Sequence, residues 1–269
     1  MRNNHKYGGK PPKKDIRDYK LAKFICPLPE SFSLSNLPRV KNQENVCSCV
    51  AHAMSSIMEY FEQGKTDLST NFIYGIQKKI CGYSGTGMYL QNACKIAQKY
   101  GDMLEKDCPG NDEVPTCYQI AENAFSYKDK RDEAYIYKVK NYFNCKSVED
   151  IKKAIYRYGP VLGSIKWYDD YQCDKNGVLF RDNTKKSSYG YHAIMIYGWT
   201  KEGFLCQNSW GEKWGNKGRF ILPYSISFAE AKGFADADND INIIVPKINT
   251  ALDFTSKGIN KFLKTLKIK

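Results

Sequence analysis

The chain has 269 residues, with 41 Lys+Arg against 29 Asp+Glu, a formal charge of +12. Its 42% hydrophobic and 26% charged residues are ordinary for a globular protein and exclude disorder and collagen-like repetition. The charge is uneven: residues 1–23 carry +6 and residues 247–269 carry +5, leaving +1 for everything between, so a basic core domain is excluded.

Residues 1–29 read as a basic arm, in which GGKPP and CPLPE supply Gly and Pro punctuation and no helical period. Behind its first charges lies no apolar stretch of the roughly 7–15 residues that a secretory signal needs. An intracellular or, for a viral protein, virion-associated location is therefore expected. A helix begins at Cys49: Val50, Met54, Ile57, Met58 and Phe61 recur at three- and four-residue intervals before Gly64, so one face is expected to be buried. The glycine-rich loop CGYSGTG leads into a second helical pattern, MYLQNACKIAQKYG, that stops at Gly101. In SVED, Ser147 stands as a capping residue before Ile151, Ala154 and Ile155, and Gly159 ends that helix.

From Pro160 the texture changes to short β-rich runs, VLGSI, GVLF, YHAIMIYGW, GFLCQNSW and GRFILP, separated by turn residues. Helices first and strands second predict an α+β chain of two unlike lobes. The expected domain is 30–246, with a helical lobe over 43–140 and a β-rich lobe over 141–246. A basic tail follows at 247–269, where Ile259, Phe262, Leu263 and Leu266 share one helical face. The apolar runs IMIYGW and INIIV are far shorter than the ~20 residues of a membrane-spanning helix.

Ten cysteines without a CxxC pair, and three histidines far apart (His5, His52, His192), give no support to a metal site. Cys108 and Cys117 flank CPGNDEVPTC and are read either as a small disulfide or as two thiols. Cys49 opens a buried helix, where unpaired amide groups and the positive end of the dipole favour a thiolate. His192 begins one strand-like run and Asn208 ends the next, a spacing that two adjacent antiparallel strands joined by a short turn bring side by side. An Asn carbonyl could then hold the imidazole in the tautomer that takes a proton from sulfur. His52, on the Cys49 helix but without an Asn or Asp beside it in sequence, is read as a buried histidine outside the chemistry.

Three segments carry a resemblance to a known family. QENVCSCVAHA is similar to the nucleophile helix of the papain-like cysteine peptidases, YHAIMIYGW to their histidine motif, and NSWGEKWGNKGRF to their asparagine motif, in family order over roughly residues 30–245. The resemblance implies a two-lobe fold, a helical left lobe and a β-barrel-like right lobe, with the cleft between them. It implies Cys49 as nucleophile, His192 as general base and then acid, and Asn208 as the group orienting His192. Gln43 would supply a side-chain N–H to the oxyanion hole beside the Cys49 backbone N–H. Trp210 would cover the His–Asn hydrogen bond, and Gly85 or Gly87 would hold the substrate backbone.

The implied activity is endopeptidase action through a thioester acyl-enzyme, on a polypeptide substrate, by a monomer needing no cofactor and no metal. The sequence also departs from the family. Val46 stands where many members have a cysteine that tethers the active-site loop, Val50 where a tryptophan usually follows the nucleophile, and Cys47 where glycine is usual. The arm resembles the short leaders of bacterial, archaeal and giant-virus relatives and is expected to fold back over the cleft as a removable or displaceable prosegment. A second reading is a catalytically weak binding module whose basic tails attach it to nucleic acid or an anionic surface.

Overall fold

The computed structural model describes residues 6–12, 19–20, 27–80, 85–110, 114–182, 184 and 186–235. The amphipathic tail expected at 247–269 lies outside the described residues. In chain order the elements are β1 (Tyr19–Lys20), β2 (Phe32–Ser33), α1 (Cys49–Phe61), α2 (Thr70–Ile80), α3 (Leu90–Lys99), α4 (Val114–Ser126) and α5 (Lys128–Ile136). Then follow β3 (Asn141–Asn144), α6 (Val148–Arg157), β4 (Val161–Tyr168), β5 (Gln172–Cys173), β6 (Leu179–Phe180), β7 (Tyr189–Trp199), β8 (Gly203–Gln207), β9 (Arg219–Pro223) and β10 (Phe228–Ala235).

Helices α1–α5 precede strands β3–β10, as the pattern predicts, whereas β1 and β2 join the same sheet from ahead of the helices. The main sheet runs β1-β3-β10-β4-β7-β8-β9, with β2 also paired to β7. It is antiparallel except where β1 joins β3. β5 and β6 form a separate pair.

β4 is buried at six of its first seven positions, without the alternation of a half-exposed strand. The reason is that both faces are covered. Leu162, Met195 and Phe234 point from the sheet into the core shared with α1, while Val161, Ile165 and Trp167 belong to a second core with Ile151 and Ile155 of α6. The α6 start follows its sequence signal. Ser147 Oγ accepts from Asp150 N at 3.0 Å, and Asp150 Oδ2 accepts from Lys146 N at 2.9 Å, a cap of the kind that contributes about 1 kcal/mol.

α1 differs from expectation. Residues Cys49 to Glu59 are all buried, not one face of them, because α1 lies between the left-lobe helices and β7. Several of its polar side chains find partners inside the lobe. Ser55 Oγ donates to Asp102 Oδ2 at 2.9 Å, Glu59 Oε1 accepts from Leu68 N at 2.8 Å, and Lys41 Nζ lies 2.8 Å from the same carboxylate oxygen. Three helices, α2, α4 and α5, and strands β3 and β10 were not expected from periodicity. In α5, KDKRDEAYI buries only Ala134, so it carries little apolar period to read.

Candidate active site

Cys49 is the first residue of α1, with Ser48 as its cap. Its N–H therefore precedes the first intrahelical bond and has no carbonyl four residues back to receive it. The sulfur is fully buried and accepts from Gly8 N at 3.2 Å and, across the cleft, from Ala193 N at 3.5 Å. Burial pushes this thiol up to about 11, and the Ala193 and Gly8 N–H groups only partly offset that. In this covered cleft the cost of taking the anion out of water works against the thiolate that the helix terminus favours.

On the opposite wall His192 sits within β7 and Asn208 directly after β8, whose ladder with β7 ends at Met195↔Gln207, and His192 Nε2 and Asn208 Oδ1 lie 2.7 Å apart. The Asn208 oxygen also accepts from Ser209 N at 2.8 Å, which fixes the amide's orientation. Trp210 lies over the imidazole, with ring centroids 4.7 Å apart and planes 33° apart, and is 3% exposed. Trp167 of β4 packs edge-on against His192 at 5.0 Å and against Trp210 at 5.0 Å. Sequence reading missed Trp167, whose only signal was an aromatic residue in a β-rich run.

Gln43 is fully buried, and its Nε2 donates to Val46 O at 2.7 Å and to Lys6 O at 2.9 Å. Its Oε1 accepts from Ser209 Oγ at 2.7 Å, and Gln43 N donates to Ser209 O at 2.8 Å. One loop of the left lobe is therefore locked to the Asn208–Ser209 turn of the right. The four residues named from the motifs, Cys49, His192, Asn208 and Gln43, meet in one place with Trp210 beside them.

Residues 6–10 of the arm pass through this cleft. Gly9 N donates to Tyr191 O at 2.8 Å, Met88 N to Gly8 O at 2.6 Å, and Lys10 N to Met88 O at 3.0 Å. Tyr7 packs its ring edge-on to His192, with centroids 6.1 Å apart, over Gly190, where a Cβ would come within 2.7 Å of it. The fit requires both arm glycines: a Cβ on Gly8 would sit 2.0 Å from the Cys47 oxygen, and one on Gly9 2.7 Å from the Tyr191 oxygen. The backbone that pairs with the arm belongs to Met88, one residue beyond Gly87. Gly87 itself has φ +78°, and a Cβ there would meet Gly8 O at 2.6 Å, so it provides the close approach. Gly85 lies farther back, its carbonyl accepting from Lys78 Nζ at 2.6 Å.

The remaining expectations sort plainly. His52 is buried with Nδ1 3.1 Å from Ser48 O, and burial lowers its pKa to about 3, which keeps the ring neutral. Cys47 is half-buried, and burial raises its thiol against the pull of Lys6, Lys10 and Lys78. Cys117 Sγ donates to Asn71 Oδ1 at 3.0 Å, as a bridged sulfur could not, so Cys108 and Cys117 form no disulfide. Glu230 lies opposite Ser164 in the β10–β4 ladder, and its carboxylate is 3.1 Å from the buried Lys232 ammonium. Among the described residues, no group of three or more His, Cys, Asp or Glu could hold a metal ion, and no helix is long and apolar enough to cross a membrane.

The sequence profile of papain family cysteine proteases matches residues 28–231. The chain belongs to the papain family of cysteine proteases. Among its relatives is the cathepsin B-like cysteine proteinase 3 of Caenorhabditis elegans, 27% identical over 245 residues, covering 77% of this chain and 65% of that one. The cathepsin B-like cysteine proteinase 1 of Haemonchus contortus is 32% identical over 148 residues, 53% of this chain and 37% of its own length. This chain thus spans less than two thirds of either nematode relative. Xylellain, a cysteine protease from Xylella fastidiosa, has the same fold with a TM-score of 0.72 at 22% identity, over 88% of this chain and 98% of that one. Procathepsin B S9 of Trypanosoma congolense matches with 0.65 at 19%, over 86% and 85%. At these identities the two structures speak for the fold: α+β, two lobes, papain-like. None of these four relatives is viral, and a giant-virus affinity finds no support in them.

Proposed function

We propose that the chain is a cysteine endopeptidase held in check by its own N-terminal arm. The observation that carries this reading is the meeting of Cys49 at a helix start with an Asn208-held His192 and a buried Gln43 amide, around a cleft that already holds an extended peptide. With the arm displaced, water reaches the sulfur and the helix terminus and His192 favour the thiolate. The sulfur adds to the scissile carbonyl carbon while the Gln43 Nε2 and Cys49 N–H groups receive the oxyanion. His192 gives its proton to the leaving amine and then takes one from the water that hydrolyses the thioester. Asn208 keeps the imidazole in register through both transfers, and Trp210 shields their hydrogen bond.

The arm supports the inhibitory part of the reading because it offers the site no attackable bond. Attack needs one peptide group with its carbon at the sulfur and its oxygen on Gln43. Here the oxygen on Gln43 is that of Lys6, whereas the group on the sulfur is the N–H of Gly8, which belongs to the following peptide group. The segment runs parallel to Met88 and antiparallel to Tyr191 and presents a donor where an electrophile is required.

The test compares hydrolysis of a fluorogenic peptide by the full chain, by Gly8→Ala and by Gly8→Ala with Cys49→Ala. Gly8→Ala is expected to raise turnover at least tenfold by expelling the arm, and the added Cys49→Ala to abolish it. Equal turnover by the full chain and Gly8→Ala would remove the inhibitory role. No turnover by Gly8→Ala would sink the peptidase reading and leave the binding module.

A further inference from the structure

The strip Gly85–Met88, whose last residue pairs with the arm, is held from behind by one face of α2. Tyr74, Gln77 and Lys78 stand three and four residues apart and so project together. Gly87 N donates to the Tyr74 hydroxyl at 3.2 Å, and Gln77 Nε2 donates to Gly87 O at 3.2 Å. Lys78 Nζ donates to Gly87 O at 2.9 Å and to Gly85 O at 2.6 Å. Gln77 Oε1 then accepts from Tyr89 N at 3.3 Å on the far side of Met88. The Gly87 peptide unit is engaged at both its N–H and its carbonyl, with the Lys78 ammonium spanning two successive turns of the strip. That ammonium lies 4.7 Å from the centroid of the Tyr74 ring, and the residue is only 9% exposed.

A buried lysine is costly unless its bonds return something, and here they fix a segment whose Met88 side chain is anchored in the core but whose two glycines have no side chain to pack. In many members of the family a cysteine at the position of Val46 tethers the active-site loop. This chain has no thiol at that position, and α2 supplies side-chain hydrogen bonds.

We propose that Lys78 is a positioning residue for peptide binding: its ammonium holds the Gly85–Met88 strip in the bent geometry that presents Met88 for pairing with a substrate backbone. The inference rests on the peptidase reading for the word substrate, but the strip-holding role does not depend on turnover. The chemistry of Cys49, His192 and Asn208 sits on other elements, so Lys78 acts on association and not on the bond-making steps. Charge-assisted hydrogen bonds are stronger than neutral ones, and losing those of Lys78 is expected to loosen a peptide about tenfold.

The experiment uses the full chain carrying Gly8→Ala, so that the arm does not compete, with Lys78 intact, Lys78→Met or Lys78→Arg. For a fluorogenic peptide that spans the cleft, Lys78→Met is expected to raise KM about tenfold with kcat changed less than twofold, and Lys78→Arg to restore KM. Alkylation of Cys49 by iodoacetamide, which makes no use of the strip, should keep its rate within twofold. In the same variants with Cys49→Ala, the dissociation constant of the unlabelled peptide, read by competition against a fluorescent copy, should rise by the same factor as KM. An unchanged KM and dissociation constant in Lys78→Met would overturn the proposal, as would a fall in kcat and alkylation rate that Lys78→Arg does not restore. A shifted dissociation constant in a chain that hydrolyses nothing would keep the positioning role and reject the peptidase reading.

Discussion

The two walls of the cleft are built on different physical terms. The right wall is sheet: His192 lies in β7, Asn208 follows the end of its neighbour β8, and Trp167 and Trp210 pack around the imidazole. The left wall is loop: the Gly85–Met88 strip pairs with a peptide but owes its shape to Tyr74, Gln77 and Lys78 on the helix behind it. A ladder with its side chains interlocked gives the fixed distances that proton transfer needs. A glycine strip held by a few hydrogen bonds can approach a backbone closely, at the expense of rigidity. The difference teaches that chemistry and recognition are separable here, and substitutions on the two walls should separate them.

The largest effect is expected where the walls meet. Cys49→Ala in the Gly8→Ala chain should lower kcat by about 10⁴-fold or more, and an epoxide inhibitor of papain-like enzymes should label Cys49 and no other cysteine in peptide mass spectra. On the right wall, Asn208→Ala should lower kcat by roughly 10²-fold while KM stays within threefold, because the imidazole loses its partner at 2.7 Å and the peptide-binding strip is untouched. A rise in KM with kcat preserved would show that the right wall also binds.

On the left wall the signs reverse. Gly87→Ala must carry a side chain at φ +78° and would set a Cβ 2.6 Å from Gly8 O. In the full chain it should loosen the arm, seen as faster iodoacetamide alkylation of Cys49, and in the Gly8→Ala background it should raise KM about tenfold or more with kcat little changed. Equal loss in both parameters would mean that the walls are coupled.

The smallest effect concerns a buried histidine of α1, on neither wall. His52 is neutral when folded, its pKa lowered to about 3 by burial, whereas an unfolded histidine titrates near 6.5. The unfolded chain therefore binds one more proton than the folded chain between about pH 6.5 and 3, and the contribution of His52 to stability, complete above 6.5, is lost as pH falls through that window. His52→Gln should flatten the decline of the urea midpoint between pH 7 and 5 and leave the pH profile of kcat in place. A shifted kcat profile would bring His52 into the chemistry after all.

Much of the right wall was legible in the sequence, because its logic is local. A run beginning with His192, a short turn and a run ending at Asn208 already specify two neighbours in a ladder. The start of α1 was legible for the same reason, a three-and-four apolar period opening at Val50 and closed by Gly64. The burial of α1 on every side was not: Ser55 and Glu59 look like solvent-facing positions until Asp102, Lys41 and the Leu68 N–H are seen to meet them. Met88 was missed in favour of the glycines before it, since glycine advertises close approach while the bonding atoms are those of a backbone that any residue has. Lys78 carried no signal either, because in sequence it is one more lysine near a helix end.

The sequence by itself determined the order of the lobes, the family, and the identity of the groups suited to thiol chemistry, since element periods, caps and motif spacings are properties of neighbouring residues. It also placed the excess charge on the two ends. Only the tertiary structure decided that Lys6 to Lys10 lie across Cys49, that the thiol beneath them is pushed up to about 11 by burial, and that α2 hydrogen-bonds the left wall from behind. Those outcomes depend on burial and on contacts between segments tens of residues apart, where the cost of desolvating a sulfur and the fit of a glycine are set by what arrives from elsewhere in the chain.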